Sequence, residues 1–193
     1  MNISNITVSI WNNCEEISFG ETDSWNENTF RKKWFIENNI AGKWDSGSPG
    51  WYWFISSISY ADLAKLTKPS TLPSSGCDFG STSGENINTF NEDNLSTLNN
   101  GNIVVYNGHE GNVMSRIRTH FNLNNNRTGA LGIKHYPLSK YEWKVKFFTQ
   151  NLIVKLPEGI QEATRRLLNN KTGRCSVESA WRAANGWPIL CKE

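Results

Sequence analysis

The sequence is poor in the features that would staple or anchor a chain. Its four cysteines, Cys14, Cys77, Cys175 and Cys191, stand far apart with no CxxC or CxH spacing. That pattern argues against a structural zinc site and against a dense disulfide framework, and for reduced thiols in a cytosolic protein. No apolar run approaches the ~20 residues of a membrane span, and the segment from Met1 to Thr7 has neither a basic region nor a sustained apolar stretch. A soluble, non-secreted protein with no membrane partner is therefore expected. Internal repeats are absent too, and the Asn-x-Ser/Thr triplets reflect an asparagine-rich composition rather than glycosylation. With 193 residues, residues 1–193 are long enough for one ordinary core and short for two, so a single domain is expected.

Net charge is low as well, only +2, but its distribution is uneven. Residues 1–102 hold six Lys/Arg against twelve Asp/Glu, whereas residues 103–174 hold twelve against four. A basic second half beside an acidic first half suggests a surface facing a polyanion; charges scattered over solvated faces explain it equally well.

What is present is aromatic and β-branched. Thr29 to Glu37 reads as a short amphipathic helix with Phe30 and Trp34 on one side. The breaker cluster Gly47-Ser48-Pro49-Gly50 leads into Trp51-Tyr52-Trp53-Phe54-Ile55, a buried strand. Asp62 to Leu66 suggests one or two helical turns, and Lys68 to Asn102, rich in Pro, Ser, Gly and Asn, reads as a long functional loop or insertion. Ile103-Val104-Val105-Tyr106 is a second strand, followed by a turn over Asn107 to Gly111 and a helix capped by Asn112. On that helix Val113, Met114, Ile117 and Phe121 form one apolar arc, with Arg116 and His120 together just beyond its edge. From there they can reach the end of the sheet near Tyr106, or form a solvated i,i+4 pair. Tyr141 to Phe148 alternates as a third strand, with Lys144 and Lys146 on its polar face. Helices follow over Glu158 to Leu168 and Val177 to Asn185, the second with Ser176 as N-cap and Gly186 at its C-terminal cap.

Gly50-Trp51-Tyr52 opens one strand, Tyr106-Asn107-Gly108 closes the next, Arg116 follows ten residues after Tyr106, and His120 four after that. In strand, turn, helix context this set resembles the motifs of the GIY-YIG nucleases over residues 48–187, with residues 1–47 as an N-terminal extension. The resemblance implies an α+β fold with a small central antiparallel three-stranded sheet flanked by helices. A long insertion at about 60–100 would separate the first two core strands. The family usually joins those strands by a short hairpin; here Tyr52 and Tyr106 are 54 positions apart, and Trp51 and Asn107 replace aliphatics.

Carried onto this chain, the resemblance implies hydrolysis of DNA phosphodiesters with Mg²⁺ (or Mn²⁺). Tyr52 would be general base or water activator, Tyr106 a support for nucleophile or phosphate, Arg116 the cation on the transition state, and His120 the orienter of Tyr52. Glu178 would hold the metal, with Glu142, Glu158 and Glu162 as competitors; a first-turn carboxylate paired with Arg182 is its ordinary alternative. His109, in the turn, matches a position where the small restriction-enzyme branch places a basic or imidazole group. Arg118, Arg127, Lys134, Lys140, Lys144, Lys146 and Asn185 are candidate DNA contacts. A type II restriction endonuclease of the bacterial cytoplasm, acting on double-stranded DNA as a homodimer, is the implied protein. Alternatives are a phage or mobile-element endonuclease, or a non-catalytic nucleic-acid- or carbohydrate-binding module whose nine tryptophans stack on ligand.

Overall fold

The computed structural model describes residues 2–20, 25–40, 47–126 and 129–192. Seven helices and four strands are used below: α1 Ile3–Asn12, β1 Glu15–Phe19, α2 Lys32–Glu37, β2 Gly50–Ser56, α3 Tyr60–Ala64, α4 Phe79–Phe90, β3 Ile103–Glu110, α5 Val113–Asn122, β4 Trp143–Thr149, α6 Glu158–Leu168 and α7 Lys171–Asn185. The fold is α+β. The strands form one antiparallel sheet in the order β1-β4-β2-β3, so the sheet has four strands where three were expected. The extra strand, β1, comes from the N-terminal extension; Glu15 to Phe19 alternates too briefly to announce itself, and its pairing with β4 fixes it.

Two apolar layers cover the sheet. One joins Tyr52, Phe54, Val105, Val145 and Phe147 to the buried arc of α5; the other joins Trp51, Trp53, Val104 and Phe148 to α1, α6 and α7. The N-terminal extension contributes to both, through Phe30 and Phe35 on the first side and Ile6 and Ile10 on the second. Four of the tryptophans, Trp51, Trp53, Trp143 and Trp181, are fully buried. Burying a large apolar side chain contributes ~1.5–3 kcal/mol, so these rings serve the core instead of a stacking surface.

The segment expected to be a loop from Lys68 to Asn102 holds a 12-residue helix, α4. Its sequence, FGSTSGENINTF, has weak helix propensity. It is held instead by its ends and neighbours: the Asp78 carboxylate caps Ser81 N–H, Phe79 stacks on Tyr136 at 4.1 Å, and Asn86 donates to the carbonyls of Ile189 and Cys191.

Two other expectations need correction. β3 does not end at Tyr106; it runs through Asn107, Gly108 and His109 to Glu110, because β2 offers partners for all of them. The expected turn is confined to Gly111 and Asn112. The last helix starts at Lys171, capped by Asn170 through Gly173 N–H, while Ser176 lies inside it and bonds back to the Thr172 carbonyl. Glu178 is therefore about two turns in, beyond the reach of a first-turn dipole.

Candidate active site at the β3 edge

The two triads meet across a ladder. Gly50 pairs with Glu110, Trp51 with His109 and Tyr52 with Gly108. Both glycines are there for space. A Cβ on Gly50 would lie 1.9 Å from the Phe148 carbonyl oxygen, and one on Gly108 would lie 2.6 Å from the Tyr52 hydroxyl. Tyr106 shares the face of Tyr52 by regular pairing, since it lies opposite Phe54, two residues on from Tyr52; a bulge follows, with Ile55 paired to Val104 and Val105 left extra. That extra residue lets Val105 and Tyr106, although adjacent in the chain, both pack in the layer beneath α5. The two tyrosine rings lie with centroids 6.2 Å apart and nearly parallel.

Above these rings stands α5. Its predicted arc, Val113, Met114, Ile117 and Phe121, is wholly buried, and Asn112 caps it through Ser115 N–H. His120 is buried as well, deeper than its place beside the arc suggests. Its Nε2 lies 2.9 Å from the Tyr52 hydroxyl, and its Nδ1 accepts the Leu131 backbone N–H at 3.2 Å. Burial, and then the charge of Arg116, hold the His120 pKa well below its ordinary value, so the ring is neutral. Since Nδ1 accepts, the proton of the neutral ring is on Nε2 and is donated to the Tyr52 oxygen. Burial, then Tyr106, raise the Tyr52 pKa well above its ordinary value against the opposing charge of Arg116. Burial pushes Tyr106 up to about 12. Arg116 donates to the Gly129 carbonyl at 2.8 Å while its charge bears on both tyrosines.

On the opposite face of the sheet, His109 turns towards α7. Its Nδ1 lies 2.6 Å from Glu178 Oε2. The other oxygen, Oε1, takes a short ion pair from Arg182, whose Nε donates to Asn107 Oδ1 at 2.9 Å and whose guanidinium lies 4.6 Å over the Trp187 ring. The pairing of Glu178 with Arg182 was legible at i,i+4; the anchoring of Arg182 by Asn107 and Trp187 was not, nor was the Leu131 N–H that sets the His120 tautomer.

The two faces meet because β3 is the outer strand of the sheet. A cavity of about 330 Å³ beside it is lined by Tyr106 and His120 from one face, Glu178 and Arg182 from the other, and Leu131 and Cys191. A larger, more open cleft of about 1100 Å³ lies outside Arg182, between Phe90, Asn94, Asn185 and Trp187. The smaller space is the candidate reaction site, since the titratable groups converge there.

A hard dication fits this site in kind. Each Glu178 oxygen keeps accepting capacity beyond its present partner, and a single carboxylate completed by waters and substrate oxygens suits Mg²⁺. Among the described residues no group of three or more His, Cys, Asp and Glu side chains is arranged to hold a metal ion.

The candidate DNA contacts are dispersed. Lys134 bonds Glu27 and Asn124, Lys144 pairs with Glu142, and Lys146 pairs with Glu16 and lies 4.4 Å from the Trp11 ring. The last two lie on β4, separated from β3 by β2. Lys140 lies over the Tyr141 ring. Arg118 is exposed on α5 and Asn185 is exposed beside the outer cleft, donating to the Trp181 carbonyl. Arg127 lies outside the described residues. Among the competing carboxylates, Glu142 pairs with Lys144 and Glu162 with Arg165 and Arg166; Glu158 opens α6.

No family model, curated protein or solved structure matches this chain. None of the helices among the described residues is long and apolar enough to cross a membrane.

Proposed function

We propose that the chain is a Mg²⁺- or Mn²⁺-dependent DNA endonuclease of GIY-YIG type, acting as a cytoplasmic bacterial restriction enzyme on double-stranded DNA as a homodimer. One observation supports the reading: Tyr106 and His120 line a cavity that Glu178 also lines, Tyr52 is bonded to His120 and Arg116 to Gly129 of the same lining, and the four residues are spaced in the chain as that family spaces its motif.

The chemistry follows from the residues. Burial keeps both phenols protonated at neutral pH, so Tyr52 orients the attacking water and takes part in proton transfer only as charge develops, not as a standing tyrosinate. His120 donates from Nε2 to the Tyr52 oxygen and stabilises negative charge appearing there. Arg116, fixed by the Gly129 carbonyl, faces the charge that builds on the phosphate. Glu178, held on both oxygens by His109 and Arg182, would bind the metal, which when bound supplies Lewis-acid stabilisation of the scissile phosphate.

The test is plasmid cleavage in Mg²⁺ against chelator. Arg116→Ala and Glu178→Ala are each expected to lower the rate at least ~100-fold, as removal of a transition-state donor does elsewhere. Wild-type rates in those variants would refute the site assignment. If wild-type protein retains DNA but cuts none in either metal, the binding-module alternative replaces the nuclease. Sequencing the fragment ends tests specificity and two-fold symmetry together.

A further inference from the structure

The tail that follows α7 builds part of the wall of the reaction cavity. Beyond Trp187 the chain turns back, the Cys191 N–H donating to the Pro188 carbonyl at 3.0 Å. The Leu190 N–H donates to the Val105 carbonyl at 2.8 Å, so the tail is bonded to the outer strand β3 at its bulge. Asn86 of α4 donates to the carbonyls of Ile189 and Cys191, and the Trp187 indole N–H donates to that of Cys191 as well. Ile189, Leu190 and Cys191 are all buried. The backbone is thus fixed as far as Cys191, and the next residue is Lys192.

Lys192 lines the cavity together with Tyr106, His120, Glu178 and Arg182. Its side chain is exposed, and its ammonium has no hydrogen bond or ion pair among the described residues. In this it differs from Lys134, Lys144 and Lys146, each of which is paired with a carboxylate and none of which lines the cavity. Glu178 and Arg182 neutralise one another, and His120 carries no charge. Lys192 therefore leaves one positive charge uncompensated on the cavity wall. A compact ammonium on a flexible stem is a point-charge donor to an anion that enters there, and every phosphodiester of a DNA strand carries one negative charge.

We infer that Lys192 is a DNA-binding residue of the reaction site, its ammonium holding a backbone phosphate of the strand that enters the cavity. The inference rests on the DNA reading of that cavity and adds to it a contact from outside the motif-bearing segment. The contact is electrostatic, so it positions the strand and reads no sequence. It requires that only one side chain be ordered on binding, because the tail that presents Lys192 is already packed and bonded in the free protein.

The test measures the affinity of the whole protein for a fluorescent DNA duplex by anisotropy over a series of salt concentrations, in chelator and again in Ca²⁺. One lysine–phosphate contact contributes ~0.9 to the slope of log K against log salt concentration. Lys192→Ala is expected to lower the slope by that amount and to weaken binding ~8-fold at about 0.1 M salt, whereas Lys192→Arg keeps the wild-type slope. Lys33→Ala, which removes an equal charge from the exposed face of α2, is expected to change neither. Bound duplex should also shield Lys192, and not Lys33, from reductive methylation mapped by mass spectrometry. A wild-type slope in Lys192→Ala, a slope lost equally in Lys192→Arg, or methylation of Lys192 unslowed by duplex overturns the contact and leaves the nuclease reading in place. Wild-type protein that binds no duplex under either condition removes both.

Discussion

Replacing Gly108 by Ala tests whether the motif glycine makes room for the tyrosine. Gly108 does not have a left-handed backbone, so a side chain there meets no conformational penalty and any loss must be steric. The added Cβ would lie 2.6 Å from the Tyr52 hydroxyl, 2.9 Å from its Cζ and 3.2 Å from Tyr106 Cε1. Tyr52 is 1% exposed and has no free space into which to withdraw, so its bond to His120 must break. Leaving those buried groups unsatisfied costs ~1–3 kcal/mol, and overpacking costs another ~1–3 kcal/mol. Alanine in a strand recovers ~0.5–1 kcal/mol relative to glycine. A net loss near ~3 kcal/mol is expected in urea unfolding followed by circular dichroism, analysed by linear extrapolation. In a Tyr52→Phe background the nearest atom is gone, and the cost of Gly108→Ala should fall by ~1 kcal/mol. A Gly108→Ala variant within ~0.5 kcal/mol of wild type, or an identical cost in both backgrounds, refutes the steric explanation.

Other expectations follow from the same geometry. Gly50→Ala drives a Cβ to 1.9 Å from a backbone carbonyl of β4, which cannot rotate away, so it should cost more than Gly108→Ala in the same assay. Gly84→Ala is the opposite case, because its Cβ meets nothing within 4 Å; inside α4 it should stabilise by up to ~1 kcal/mol. His120 is buried with its pKa held well below the imidazole range. The unfolded chain therefore takes up a proton below pH ~6.5 that the folded protein does not, and stability falls on acidification by up to ~1.4 kcal/mol per pH unit from this group. Urea midpoints between pH 7.5 and 5.5 should fall less steeply in His120→Gln; an unchanged slope would assign the effect to another group.

Local pattern determined a good part of this protein. The apolar spacing and Asn112 cap specified α5 because every needed signal lies within ten residues of chain. The alternation of Trp143, Val145 and Phe147 specified most of β4 in the same way. The ten- and four-residue steps from Tyr106 to Arg116 and His120 fixed what α5 presents to β3. What remained open depended on partners far along the chain. β3 passes through Asn107 and Gly108, a pair that reads locally as a turn, because β2 satisfies their backbone groups. The bulge at Val105 puts two adjacent residues, Val105 and Tyr106, into the same apolar layer, and no local signal marks it. α4 forms from a weak helical sequence because it is capped and packed. The meeting of His109 with Glu178 spans 69 positions. Tertiary structure decided these features because the free energy that selects them comes from pairing and burial between distant segments, and not from the preferences of the residues themselves.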